Sequence, residues 1–239
     1  AALRAAGAGL DAVARERNAF CVTRPPGHHA DDRHGTGFCL FNNIAVAAAW
    51  LVERGERVVI VDWDVHHGNG TQDLFYADDR VLYTSVHQSP LYPFTGRMEE
   101  RGEGAGEGYT MNFPVPAGAT GDVHLAAMDV IMEASADFEP TWVLVSSGFD
   151  GHRDDILEDT ALALTSGDFA ALCRRASALA PAGHCVLFLE GGYDDDALRA
   201  SGAACVAALA GLDDFVPAEP PSHGGPGMDV VEKAAGAFR

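Results

Sequence analysis

Apolar and polar positions alternate along this chain in two textures. Five short apolar runs, too brief for helices, predict strands near 19–23, 57–62, 81–86, 141–147 and 184–190. Alanine-rich stretches between them predict helices near 3–17, 42–54, 121–138, 168–180 and 194–211, with a short terminal helix from Met228 to Phe238. A run such as Val58-Val59-Ile60-Val61 has no polar face, so it belongs to a strand buried on both sides. Strands alternating with helices predict an α/β fold, a parallel sheet flanked by helices. At 239 residues the chain is long enough to bury one substantial core, and it reads as a single domain over 1–239 with no internal repeat. The glycine- and glutamate-rich stretch 96–108 reads as a mobile loop, and Pro217 to Gly227 as a loose connection.

The apolar runs end abruptly in reactive groups. Val58 to Val61 leads into Asp62-Trp63-Asp64-Val65-His66-His67-Gly68-Asn69-Gly70. In an extended chain residues i and i+2 point the same way, so Asp62, Asp64 and His66 are expected on one face. Carboxylate oxygen beside imidazole nitrogen suits a catalytic zinc or a similar divalent ion. A lone Asp-x-His is more often a solvated strand end, but three further segments repeat the pattern. The run from Thr141 to Ser147 stops at Gly148-Phe149-Asp150, where Asp150 offers a third ligand. The run from Cys185 to Leu189 stops at Glu190-Gly191-Gly192-Tyr193; its glycines admit close backbone approach, and Tyr193 offers a phenolic donor. Arg24-Pro25-Pro26-Gly27-His28-His29-Ala30 is a stiff turn bearing two adjacent histidines, the side chains that titrate nearest neutrality.

These segments, with Gly37-Phe38-Cys39-Leu40-Phe41-Asn42-Asn43, Ser85-Val86-His87 and Tyr92-Pro93-Phe94-Thr95-Gly96, resemble the zinc-dependent histone deacetylase and acetylpolyamine amidohydrolase superfamily, within the arginase–deacetylase fold. The resemblance runs from about residue 20 to 200, and Asn69 with Gly148 to Asp150 points to the class II and bacterial branch. It implies Asp64, His66 and Asp150 as zinc ligands, and His28 and His29 as paired general base and acid. Asp62 would face His28, and Asn69 would face His29 where class I members carry an acid, leaving His29 less basic. Tyr193 would bond the oxyanion. Asp62, Asp64, His66, Ser85 and Val86 stand at the positions of a structural potassium. Phe38 and Tyr92 would grip the acyl-lysine stem with Gly37 as a backbone acceptor, and stretch 96–108 would then lie at the pocket rim. Cys39 reads as a packing residue. Phe94 stands where the family usually has glycine, crowding the rim or the floor, and Asp155-Ile156 replaces a usual Asp-Pro. Only 23 residues precede Arg24, so an N-terminal segment with a strand and a rim loop is expected to be missing.

The implied reaction is hydrolysis of an acyl amide, acetyl first, on lysine side chains or polyamines. Two rivals stay open: an arginase-type hydrolase with two manganese ions, and a catalytically weak acyl-lysine binding module. A net charge of −19, from 35 acids against 16 bases with Lys233 the only lysine, argues against direct nucleic-acid binding and suits cationic substrates. Five scattered cysteines without a Cys-x-x-Cys pair suggest a reduced cytoplasm, and no apolar stretch reaches spanning length. The sequence leaves oligomeric state open.

Overall fold

In chain order the elements are α1 (Ala2–Val13), β1 (Ala19–Cys21), α2 (Asn43–Val52), β2 (Val58–Asp62), α3 (Asn69–Phe75), β3 (Val81–Gln88), a 3₁₀ turn (Gly104–Gly106), β4 (Thr110–Val115), α4 (Gly121–Phe138), β5 (Trp142–Ser147), α5 (Ser166–Ser177), β6 (Cys185–Leu189), α6 (Asp195–Leu209) and α7 (Met228–Ala237). This computed structural model describes residues 1–237; Phe238, in the expected terminal helix, lies outside the described residues. The strands form one sheet in the order β1-β6-β5-β2-β3-β4, and every neighbouring pair is parallel.

Period-two alternation distributes the apolar strand residues between two cores. Val59, Val61, Val143, Val145 and Leu187 face Met128 and Ile131 of α4, Phe169 and Leu172 of α5, Cys205 of α6 and Val231 of α7. Val58, Ile60, Leu144, Val186 and Phe188 face Val13 of α1 and Ile44 and Leu51 of α2. Each such side chain, fully buried, contributes roughly 1.5–3 kcal/mol. Among the described residues no helix is long and apolar enough to cross a membrane.

The expected helices and strands all occur, α4 with the expected bounds and the others with ends shifted by a few residues. Helix α1 stops at Val13 rather than 17. Helix α5 starts at Ser166, two residues early, because Thr165 and Asp168 close a capping box. Strand β4 and helix α3 were not expected. Thr110 to Val115 mixes polar and apolar residues and contains Pro114, which suits the sheet edge that β4 occupies. Stretch 96–108 is fastened, contrary to the mobile loop its glycines suggest. Glu100 Oε2 accepts from Gly96 N (3.0 Å) and from Gln72 Nε2 (2.9 Å), and Glu103 N donates to Tyr76 O (2.8 Å).

The chain builds outward from β2 through β3 to β4, then crosses to β5 and β6 on the other side. The carboxyl ends of β2 and β5 therefore flank the point where strand order reverses, where open parallel sheets leave a crevice.

Candidate active site

Asp64 and His66 follow β2, and Asp150 follows β5, at this crevice. Their donor atoms lie within 4.8 Å of one another. His66 Nδ1 is 3.0 Å from Asp64 Oδ1 and 3.2 Å from Asp150 Oδ2. Asp62 does not join the trio on one extended face. Strand β2 ends at Asp62, and the chain then bends because amides bond to carboxylates: Asp64 N to Asp62 Oδ1 (3.1 Å), His66 N to Asp64 Oδ1 (2.9 Å) and Val65 N to Asp150 Oδ1 (3.1 Å).

Burial and the charge of Asp64 push the Asp150 carboxyl up to about 6. Burial alone would lower His66, but the carboxylates of Asp150 and Asp64 outweigh it and hold the imidazole at about 10. His66 Nδ1 thus lies between two buried carboxylates, where a cation fits. Asp150 Oδ2 is buried and has no hydrogen-bond partner aligned to it. Side chains at Gly148 and Gly191 would overlap Asp64 Oδ2 and Asp150 Oδ2, so only glycine lets the backbone close around the trio. Two carboxylates and one imidazole, with one oxygen orphaned, fit a divalent ion.

His28 and His29 lie with ring centroids 4.0 Å apart. His28 Nδ1 is 3.0 Å from Asp62 Oδ2, and His29 Nδ1 is 2.8 Å from Asn69 Oδ1. Both partners accept, so each imidazole donates through Nδ1 and leaves Nε2 for other contacts; His28 Nε2 is 3.8 Å from Asp64 Oδ1. Burial opposes charge on His28, but the carboxylates of Asp62, Asp64 and Glu190 hold its pKa well above the usual value. Burial and the charge on His28 press His29 down to about 3. The pair carries one proton, on His28.

Glu190 holds this turn, a role that its place at a strand end does not signal. Its Oε2 accepts the amides of Gly27 (2.7 Å) and His28 (3.1 Å), and burial raises its carboxyl to about 7. Glu190→Ala would leave two buried amides without an acceptor. The expected cost is about 2–6 kcal/mol, read as a lower urea midpoint at unchanged slope. An unshifted midpoint would mean that the amides find other partners.

A cavity of about 640 Å³ opens over these groups, walled by Phe38, Tyr92, Phe94 and residues 157–159 and reaching Tyr193. The Tyr92 ring stands edge-on to His29 (5.2 Å) and His66 (6.2 Å), and Phe38 stands edge-on to Tyr193 (6.5 Å). Gly37 lies directly against the His29 ring. Phe94 is 78% exposed and belongs to the mouth, not the floor. Phe38 and Phe94 both adopt left-handed φ, +64° and +63°, so backbone strain is concentrated at the mouth. Stretch 96–108 does not line this cavity; the mouth is built by residues 90–94 and 157–159 instead. Cys39 is buried, bonds Gly37 O (3.3 Å), and has its thiol pushed up to about 12 by burial.

Of the other candidates, Asp62 and Ser85 are partners across β2 and β3. The Val86 side chain is buried in the core, so only its main-chain carbonyl is available as a donor. His67 and His87, given no role by the sequence, latch the Tyr92 segment from below: His67 Nδ1 meets Thr95 Oγ1 (2.8 Å) and His87 Nε2 meets Gly96 O (3.0 Å). In a second ligand-like group, His152, Asp154 and Glu219, the Glu219 carboxylate is already taken up by the Arg153 guanidinium and by His152.

The parallel six-stranded sheet, flanked by helices and carrying its polar groups at the carboxyl edge, defines an α/β protein of the arginase–deacetylase fold. Residues 1–209 match the histone deacetylase domain family, and the chain belongs to it. A probable deacetylase of Archaeoglobus fulgidus is 46% identical over 229 residues, covering 93% of this chain and 62% of that protein. Histone deacetylase HDA1 of Saccharomyces cerevisiae is 40% identical over 208 residues, covering 82% and 29%. The crystal structure of the HDA15 HD domain aligns with a TM-score of 0.87 at 37% identity, covering 98% of this chain and 66% of that one. The chain thus spans less than two thirds of the length of each of these relatives.

Proposed function

We propose that this chain is a single catalytic domain of a zinc-dependent deacylase that hydrolyses an acyl amide, acetyl first, on lysine side chains or polyamines. The observation carrying this reading is the meeting of three sets in one cavity: the Asp64-His66-Asp150 trio, a histidine pair backed by Asp62 and Asn69, and the Tyr193 phenol. Asp64, His66 and Asp150 would hold the ion, which when bound supplies a polarised amide carbonyl and a water whose pKa falls from ~16 toward 7. Oxygens of Asp62, Asp64, His66, Ser85 and Val86 would hold a structural potassium, a cation that main-chain carbonyls suit.

The chain's own residues move the protons. His29, with its Nδ1–H committed to Asn69, keeps the Nε2 lone pair and takes a proton from the attacking water. His28, backed by Asp62, holds the proton that passes to the departing amine nitrogen. Burial and the nearby Asp150 and Asp64 charges raise the Tyr193 pKa, so its hydroxyl stays protonated and donates to the oxyanion. Phe38 and Tyr92 would flank the linear stem, with the Gly37 carbonyl accepting from the amide.

Asn69 tests the low basicity of His29. Asn69→Asp sets a carboxylate beside His29 and raises its pKa. The His29 ring is expected to titrate about 1 unit higher than in wild type, read from its imidazole proton shifts, and an unchanged midpoint would leave the low basicity assigned to His29 without this cause.

A paired-ion, arginase-type site is less well supported. Among the described residues, the cluster at this edge offers three donors, and the adjacent Asp62 is turned to His28. The excess of acids favours cationic substrates. The five cysteines, free and buried, suit a reducing cytoplasm. The deciding experiment measures acetate release from an acetyl-lysine peptide and from acetylated spermidine by zinc-reconstituted protein, with Asp64→Ala as control. Release by wild type alone supports the deacylase, and the rate ratio ranks the substrates. Binding of the peptide without release would favour an acyl-lysine binding module.

A further inference from the structure

Tyr193 follows two glycines, so its own strand does little to fix its place in the cavity. Side chains at 191 and 192 would overlap Asp150 and crowd Phe149 and Leu198, and Gly192 sits at φ +129°. Successive glycines give a segment wide backbone freedom. That freedom falls immediately before the residue whose hydroxyl has to be held over the reacting carbonyl.

Gly191 is fastened, its amide donating to Asp64 Oδ2 (2.9 Å) and its carbonyl accepting from Phe149 N (2.9 Å); beyond it, one side chain supplies the restraint on the Tyr193 amide. Asp155 Oδ2 accepts the amide of Tyr193 at 2.7 Å and that of Asp194 at 3.2 Å. Its Oδ1 accepts the amide of Leu157 at 3.0 Å. Asp194 in turn caps α6, its Oδ1 accepting from Asp196 N and Ala197 N. A single carboxylate therefore ties together the start of α6, the Tyr193 turn and the 157–159 wall of the cavity mouth. Carboxylate-to-amide bonds are charge-assisted and stronger than neutral ones.

We infer that Asp155 is a positioning residue for Tyr193, acting through the tyrosine backbone to hold the phenol in register with the cavity wall. The kinetic consequence rests on the deacylase reading; the tether itself does not. The loop bearing Asp155 has other anchors. Glu219 bonds His152 Nε2 at 2.7 Å and pairs with Arg153, while Gln88 bonds Asp159 O (2.9 Å) and Ala161 N (2.7 Å). Losing Asp155 leaves these intact and frees mainly three amides.

The test compares Asp155→Ala, Asp155→Asn, Tyr193→Phe and the Asp155→Ala/Tyr193→Phe double variant. Asp155→Ala is expected to lower kcat about 10- to 100-fold, with KM within about two-fold and zinc content unchanged, because small misplacements cost that much. Asp155→Asn keeps one acceptor oxygen and is expected to recover part of the loss. In the double variant Asp155→Ala should add nothing to Tyr193→Phe, since a missing hydroxyl cannot be misplaced. Wild-type activity in Asp155→Ala, or losses that multiply in the double variant, would overturn the inference. If wild type released no acetate, that would count against the deacylase reading alone. Hydrogen exchange then decides: the Tyr193 and Asp194 amides should exchange at least about tenfold faster in Asp155→Ala, and equal rates would overturn the tether.

Discussion

Asp150→Ala is expected to strip the chain of zinc and of hydrolysis together. Asp150 gives the trio its orphaned oxygen; among the described residues the cluster holds only Asp64 and His66 besides it, and the adjacent Asp62 serves His28. Changing mere outer partners of metal ligands costs 10- to 100-fold in affinity, so losing a direct ligand should exceed about 100-fold. Asp150 also accepts Val65 N at 3.1 Å, so the alanine variant orphans an amide at a cost of about 1–3 kcal/mol. Asp150→Asn retains an acceptor there without the charge and separates the two effects. The asparagine variant should melt nearer to wild type yet still bind zinc poorly, as read by metal analysis after dialysis. Retention of a full equivalent of zinc by both variants would remove Asp150 from the ligand set. Affinity in the wild type should weaken as pH falls from 7 to 5: Asp150, with a pKa of about 6, takes up a proton that competes with the metal.

Tyr193→Phe is expected to leave zinc bound and substrate affinity nearly unchanged while kcat falls about 10²- to 10³-fold, the usual loss for one oxyanion donor. The ring remains to pack against Phe38, so only the hydroxyl is lost. Burial, with the charges of Asp150 and Asp64, holds the Tyr193 pKa above its ordinary value, so the donor form persists across neutral pH. The kcat profile should therefore show no limb from tyrosine ionisation near neutrality. A variant with unchanged kcat would take the phenol out of the mechanism. A variant that raises KM while sparing kcat would make Tyr193 a binding group.

Local pattern made much of this molecule legible. The apolar runs announced β2, β5 and β6 because a strand buried on both faces has few polar positions to interrupt it, and β3 through Val81-Leu82-Tyr83. The groups after those runs were legible as chemistry because several segments repeat the pattern, where a lone Asp-x-His is more often a solvated strand end. Less regular elements escaped. Strand β4 carries Pro114 and mixed polarity, which only an edge position tolerates. Stretch 96–108 looked free because glycine frequency reports backbone freedom, not the Glu100 bonds that fasten it.

The sequence by itself determined the regular elements other than β4 and α3, their parallel class and the identity of the reactive groups, since these depend on periodicity and residue chemistry within a few positions. Only the tertiary structure decided which groups meet. Glu190 reaches Gly27 across 163 residues, and Asp155 reaches Tyr193 across 38. Asp62, which strand period alone would set beside Asp64 and His66, bonds His28, the contact that the family resemblance implies. Sheet order and the crossing to β5 set those encounters, and a buried carboxylate bonds whichever donors the long-range packing brings to it.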